Sequence, residues 1–165
     1  QRDELAERLI ERLNAQVFNH MLPAELDLVW SKRLNTTAGK AKWTVFKDGN
    51  GKMIREKVVI ELGTKVVDSE SRLMNTLAHE LCHVATWIID RQKDEKHGKF
   101  FKAWATKINR SMPEIEVTTK HTYEIDYKFN WTCAAPGCSQ KYGRHSNSIK
   151  PDRQMCSCGG TLVPV

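Results

Sequence analysis

Thr76-Leu77-Ala78-His79-Glu80-Leu81-Cys82-His83 decides how the rest of this chain is read. In a helix, residues four apart share one face, so the imidazoles of His79 and His83 can bind a single metal ion. Glu80 lies between them, close enough to act on a water at that metal without being a ligand. A neutral imidazole is a good zinc ligand, and an open zinc site brings the pKa of bound water toward neutrality. The five residues from His79 to His83 therefore read as a zinc-activated nucleophile with Glu80 as its general base. A surface helix with two solvated histidines is the plain alternative. Flanking residues speak against it, because Leu73, Leu77, Leu81, Val84, Ala85 and Ile88 recur at helical spacing and predict a core-packed helix. Ser69 and Ser71 are both candidates to cap its start.

One helix supplies two ligands, and a catalytic zinc usually takes three from the protein. His97-Gly98 is the best source of the third. It follows the charged stretch Asp90 to Lys96 and opens a second amphipathic pattern, Phe100, Phe101, Trp104 and Ile108. A histidine there faces the first helix if the two pack antiparallel. His20, His121 and His145 are weaker candidates, the first ending another helix and the others lying in or near the tail.

A second metal signal closes the chain. Cys133 and Cys138 enclose Ala-Ala-Pro-Gly, and Cys156 and Cys158 enclose a single serine before Gly159-Gly160. Two cysteine pairs at tight turns, separated by a longer excursion, form the pattern of a zinc ribbon with four thiolate ligands. Such a site replaces the core that so short a unit cannot build. Two disulfides are the rival reading. Cys82, on the predicted zinc helix, has no evident partner and reads as a small buried residue.

At 165 residues and 40% hydrophobic, the chain can bury one core plus a small metal-stapled module. No stretch approaches a transmembrane span, and no targeting segment, repeat or low-complexity run is visible. It begins directly in a helical pattern and so reads as an excised domain of a longer protein. The net charge of +6 is unevenly placed. Between Arg91 and Arg110 there are seven basic residues (91, 93, 96, 99, 102, 107, 110) against two acidic ones (94, 95). Lys128, Lys141, Arg144, Lys150 and Arg153 stud the tail. Such clusters attract phosphate backbones, although a solvated helix face is the commoner meaning of a basic run.

The remaining layout is a first helix carrying Leu5, Leu9, Ile10, Leu13, Val17 and Met21, ended by Pro23. Strands are predicted over 26–30, 41–46 and 57–62, and the turn signal Asp48-Gly49-Asn50-Gly51 joins the last two as a hairpin. The strand around Val58 to Leu62 could pair with an extended substrate backbone. From Tyr123, strict alternation puts Tyr123, Ile125, Tyr127, Phe129 and Trp131 on one strand face. Most of that stripe is expected to pack on the cysteine module, while exposed rings at its end could stack on unpaired bases.

Trp30-Ser31-Lys32-Arg33-Leu34, Thr37-Ala38-Gly39, the segment from Thr76 to His83, His97-Gly98 and the tail Arg144-His145-Ser146-Asn147-Ser148 with its cysteines together resemble a SprT-type metalloprotease domain over essentially the whole chain. The resemblance implies an α+β, zincin-like core at residues 1–122, with helices on a small, mostly antiparallel sheet. A zinc-ribbon-like β subdomain would follow at 123–165. It implies a nuclear, chromatin-associated, monomeric and DNA-dependent protease that degrades proteins crosslinked to DNA. Two zinc ions are implied. His79, His83 and His97 would hold the catalytic one, with Glu80 as base, and Cys133, Cys138, Cys156 and Cys158 the structural one. Trp131, Tyr142, Arg144, Lys150 and Arg153 are the residues expected to contact DNA, with single-stranded or disrupted duplex preferred. The single residue between Cys156 and Cys158 departs from the family pattern, where two are expected. A zinc peptidase indifferent to DNA and a non-enzymatic DNA-binding zinc module are the competing readings.

Overall fold

The computed structural model describes residues 1–119 and 127–165. The chain divides into two compact units, Gln1–Tyr123 and Glu124–Val165. His121, Tyr123 and Ile125, named above, lie outside the described residues.

The first unit is mixed α and β. Its elements are α1 (Arg2–Gln16), β1 (Leu26–Ser31), β2 (Gly39–Lys47), β3 (Met53–Gly63), α2 (Glu70–Ile88) and α3 (Lys99–Ser111). Helix α1 buries Ala6, Leu9 and Leu13 and stops at Gln16, short of the expected Met21. The chain then turns through Asn19 and His20, both at positive φ, which leaves Met21 52% exposed. Residues 48–51 do turn β2 into β3, with Gly51 at φ 80° as such turns require. Strand order is β1-β3-β2, with β2 antiparallel to β3 and β1 parallel to it. This sheet is therefore mixed rather than mostly antiparallel. As the middle strand, β3 buries Val58, Ile60 and Leu62 completely. Both of its edges are occupied, so it cannot add a substrate strand. Among the described residues, the free edges belong to β1 and β2.

Helix α2 starts at Ser69, whose hydroxyl accepts the N–H of Arg72. Thr76 to Thr86 are all buried, polar residues included. A helix covered on every side is held rigidly, and α1, α3, β2 and β3 all pack against it. None of the helices among the described residues is long and apolar enough to cross a membrane.

The second unit is a three-stranded sheet of β4 (Phe129–Cys133), β5 (Lys141–Arg144) and β6 (Leu162–Pro164), in the order β5-β4-β6 with both pairings antiparallel. Its core is small: Trp131, Cys133, Ile149, Cys156 and Leu162, with Phe129, Ala135, Cys138 and Tyr142 packed against it.

Candidate functional site

The rigidity of α2 is spent on three polar residues. His79, Glu80 and His83 are 5%, 1% and 7% exposed, and a buried carboxylate is costly unless the surroundings need it. His97 reaches them from the residue before Gly98, the N-cap of α3. The ligand-type nitrogens of His79, His83 and His97 all lie within 4.8 Å of one another. His97 Nε2 is 3.3 Å from His79 Nε2. Two nitrogen ligands of a tetrahedral zinc, each about 2.0–2.1 Å from the metal, stand roughly 3.3–3.4 Å apart, so the spacing fits a shared ion. The tautomer fits as well. His79 Nδ1 makes a 2.7 Å hydrogen bond with the carbonyl oxygen of Thr118, so Nδ1 carries the proton and Nε2 keeps its lone pair. Glu80 Oε1 is 4.0 Å from His79 Nε2, near the three ligand-type nitrogens without standing among them.

Aromatic rings hold the imidazoles. Phe101, 1% exposed, has its ring centroid 5.0, 4.8 and 4.8 Å from those of His79, His83 and His97. His83 stacks on Trp87 at 5.9 Å, and Trp87 on Trp43 at 6.5 Å. A cleft of about 620 Å³ opens here, lined by Gly39, Lys40 and Ala41 of β2, by Glu80, His83 and Trp87 of α2, and by Lys93 to Lys96. Gly39 lets β2 pass this close, since a Cβ there would sit 2.8 Å from Thr76 Cγ2 and 3.2 Å from Glu80 Cγ. Cys82 is fully buried on the same helix, and burial, with the Glu80 carboxylate second, pushes its thiol pKa up.

The cysteines of the second unit also converge, their four sulfurs lying within 4.8 Å of one another. Cys133 Sγ is 3.5 Å from Cys158 Sγ, and Cys138 Sγ 3.8 Å from Cys156 Sγ. Tetrahedral thiolates at about 2.3 Å from zinc would be separated by roughly 3.8 Å, whereas a disulfide requires about 2.05 Å. The donor set fits zinc. Turns at Gly137 (φ 79°) and Gly159 (φ 89°) fold each pair back on itself. The Tyr142 hydroxyl donates to Cys156 Sγ at 3.3 Å, and this bond, with the backbone N–H of Cys158 second, holds the thiol down at about 6. Cys133 is pulled down by the Ala135 N–H, but burial and the neighbouring sulfurs outweigh it and carry the thiol up to about 12.

Trp131 is not placed for stacking on bases. It is 3% exposed and forms the centre of this small core, because alternation puts it on the same face as Cys133. Tyr142 is half-buried, with its hydroxyl committed to sulfur. Arg144, Lys150 and Arg153 are exposed. Arg144 and Lys150 donate to the backbone carbonyls of Gly143 and Asn147, and Arg153 lies 4.0 Å from Asp152. His20 is exposed, and neither it nor His145 belongs to either ligand cluster. Sequence reasoning missed Thr118, Phe101 as a support for the histidines, and the packing role of Gly39.

Comparison with known proteins gives independent findings. Residues 6–121 match the model of the SprT-like family. An HMG box-containing protein of Schizosaccharomyces pombe is 43% identical over 94% of this chain and 44% of its own length. Germ cell nuclear acidic protein of Homo sapiens is 36% identical over 99% of this chain and 23% of its own length. DNA-dependent metalloprotease dvc-1 of Caenorhabditis elegans is 25% identical over 95% of this chain and 46% of its own length. The chain thus spans less than half of each of these relatives.

Proposed function

From the premise that this chain belongs to the SprT-like family, we propose that it is the catalytic part of a DNA-dependent zinc metalloprotease acting on proteins crosslinked to DNA. The observation that carries the reading is the buried Glu80 beside three histidine nitrogens in a cleft with an open strand edge. His79, His83 and His97 would hold the catalytic zinc, and the four cysteines a structural one. When bound, the catalytic zinc would supply Lewis acidity, lowering the pKa of water and polarising the scissile carbonyl.

The chain's own residues do the rest. Thr118 O fixes the His79 ring through Nδ1, and Phe101 and Trp87 hold the other rings in place. Glu80, 1% exposed, accepts the proton of the attacking water at its carboxylate and returns it to the leaving amine. The free edge of β2 pairs with the substrate backbone in extended form and lays it along the cleft. Pairing of this kind reads main chain rather than side chains, so sequence selectivity is loose. Selection of the substrate would then come from DNA, bound through exposed basic residues such as Arg144, Lys150 and Arg153 and those on α3. The dvc-1 relative carries DNA dependence in its name, and another relative is named as nuclear. A nuclear, chromatin-associated place of action follows from the same reading.

The test is proteolysis of a protein substrate with and without single-stranded DNA, beside Glu80→Gln. The wild-type chain should cleave only when DNA is present. Glu80→Gln should lower the rate by about 10²–10⁴ while zinc content and unfolding temperature stay near wild type. Cleavage indifferent to DNA would leave a generic zinc peptidase, and a fully active Glu80→Gln variant would remove Glu80 from the mechanism.

A further inference from the structure

We propose that Glu95 is the positioning residue for the third histidine, holding the turn that carries His97 by capping α3 from outside the helix. This rests on the reading of His97 as a metal ligand.

Helix α3 begins with no capping group of its own. Its N-cap, Gly98, has no side chain to offer, and there is no acidic residue in the first turn. The first N–H groups of a helix need acceptors, and a negative charge there is favoured by the helix dipole. Glu95 supplies both from three residues before the N-cap. Its Oε1 accepts the N–H of Phe100 at 2.7 Å, a charge-assisted bond in a partly buried position. The carboxyl also lies directly against the α carbon of Gly98, where an added Cβ would meet Oε1 at 2.5 Å and Cγ and Cδ at 2.6 Å. The absence of a side chain at position 98 is what lets the carboxylate dock.

Glu95 and Phe100 thus close a loop around His97. The ring of His97 leaves that loop toward His79, 3.3 Å away, and rests edge-on against Phe101 at 81°. His79 and His83 are fixed by the buried helix that carries them, whereas His97 depends on a turn between two helices. Glu95 ties that turn to the backbone of α3 through the N–H of Phe100. The arrangement explains the glycine after His97 as a docking surface for a carboxylate, a role its helix-start position alone does not reveal.

The experiment measures cobalt binding to the full 165-residue chain, with the cysteine site kept zinc-loaded and the histidine site read by its visible absorption. Glu95→Ala should weaken cobalt at the histidine site about 10-fold and leave the thiolate site unchanged. Glu95→Gln keeps an acceptor of the same shape and should recover most of that loss. Gly98→Ala evicts the carboxylate and should weaken cobalt similarly, but should add little on top of Glu95→Ala, because nothing then remains to evict. Hydrogen exchange at the Phe100 amide should speed up in Glu95→Ala even without metal. Wild-type cobalt affinity in Glu95→Ala, or additive losses in the double variant, would overturn the proposal while leaving His97 as a ligand. A wild-type chain that holds no cobalt at the histidines would overturn both.

Discussion

Gly39→Ala tests whether β2 must pass hard against α2 for Glu80 to be held in place. The added methyl would meet Thr76 Cγ2 at 2.8 Å, closer than packed carbons tolerate, with Glu80 Cγ at 3.2 Å and Glu61 O at 3.4 Å. Thr76 is 4% and Glu80 1% exposed, so neither can swing into solvent to make room. Overpacking of this kind costs about 1–3 kcal/mol. A domain with roughly 5–15 kcal/mol of stability survives that. Urea unfolding followed by tryptophan fluorescence should show the loss as a lower midpoint with an unchanged slope. Activity should fall further than stability does. Relief of the 3.2 Å contact moves the Glu80 side chain, and small misplacements of a catalytic group are expensive, so we expect about a 10-fold drop in DNA-dependent proteolysis with zinc content intact. Thr76→Ser deletes the nearest methyl while keeping the hydroxyl. In a double-mutant cycle it should restore most of the stability lost in Gly39→Ala, but less of the activity, because the Glu80 contact remains. A Gly39→Ala chain as stable and active as wild type would refute the reasoning. So would strict additivity with Thr76→Ser.

Thiol alkylation counted by mass spectrometry should proceed in steps. The zinc-loaded chain should be unreactive, a chelator should release Cys133, Cys138, Cys156 and Cys158, and Cys82, fully buried with its thiol pKa pushed up, should react only on unfolding. Trp131→Ala should destabilise the second unit by about 3–5 kcal/mol, seen as an earlier unfolding transition, and should not selectively remove a preference for single-stranded DNA. Arg144→Glu with Lys150→Glu should weaken all DNA binding and flatten its salt dependence by roughly 0.7 in log–log slope per lost contact on single strands. An unchanged slope would place the phosphate contacts elsewhere.

Periodicity reached some of these features and could not reach others. The α2 pattern of Leu73, Leu77, Leu81 and Ile88 predicts the helix, and the His-Glu-x-x-His spacing within it predicts that His79 and His83 share a face, as they do. The turn at residues 48–51 carries its own chemistry, so the hairpin is legible from local residues. Which strand ends up in the middle is not. β3 pairs with β1 across some thirty residues, and alternation is the same whether a strand has one neighbour or two. For that reason the edge proposed to take substrate is β2, not Val58–Leu62. Helix α1 ends early because Asn19 and His20 adopt left-handed conformations, although Val17 and Met21 continue the helical spacing. The aromatic alternation names the face Trp131 occupies but not whether that face is dry, which depends on how small a core the cysteines leave. Thr118 acts through its carbonyl, an atom every residue has, so no side-chain pattern could have marked it.

The lining of the cleft bears on where specificity must come from. Lys40, Lys93 and Lys96 line it together with Asp94, Glu95 and Glu80, and with Leu34, Ala41 and Trp87. Mixed charge and modest apolar surface give no single pocket chemistry to favour one side chain, and edge pairing along β2 accepts most sequences without proline. On the proposed reading, a protease so permissive would cleave indiscriminately if its activity depended on cleft affinity alone. Holding enzyme and substrate on one DNA molecule changes this, because tethering raises the effective concentration to the order of millimolar for short spans. A weak cleft is then an asset, since free proteins at micromolar levels leave it empty while a protein fixed to the same strand fills it. Strengthening the cleft, for example by an apolar substitution at Lys40 in its lining, should therefore raise DNA-independent cleavage more than DNA-dependent cleavage. Equal gains in both would show that selectivity lies in the cleft itself.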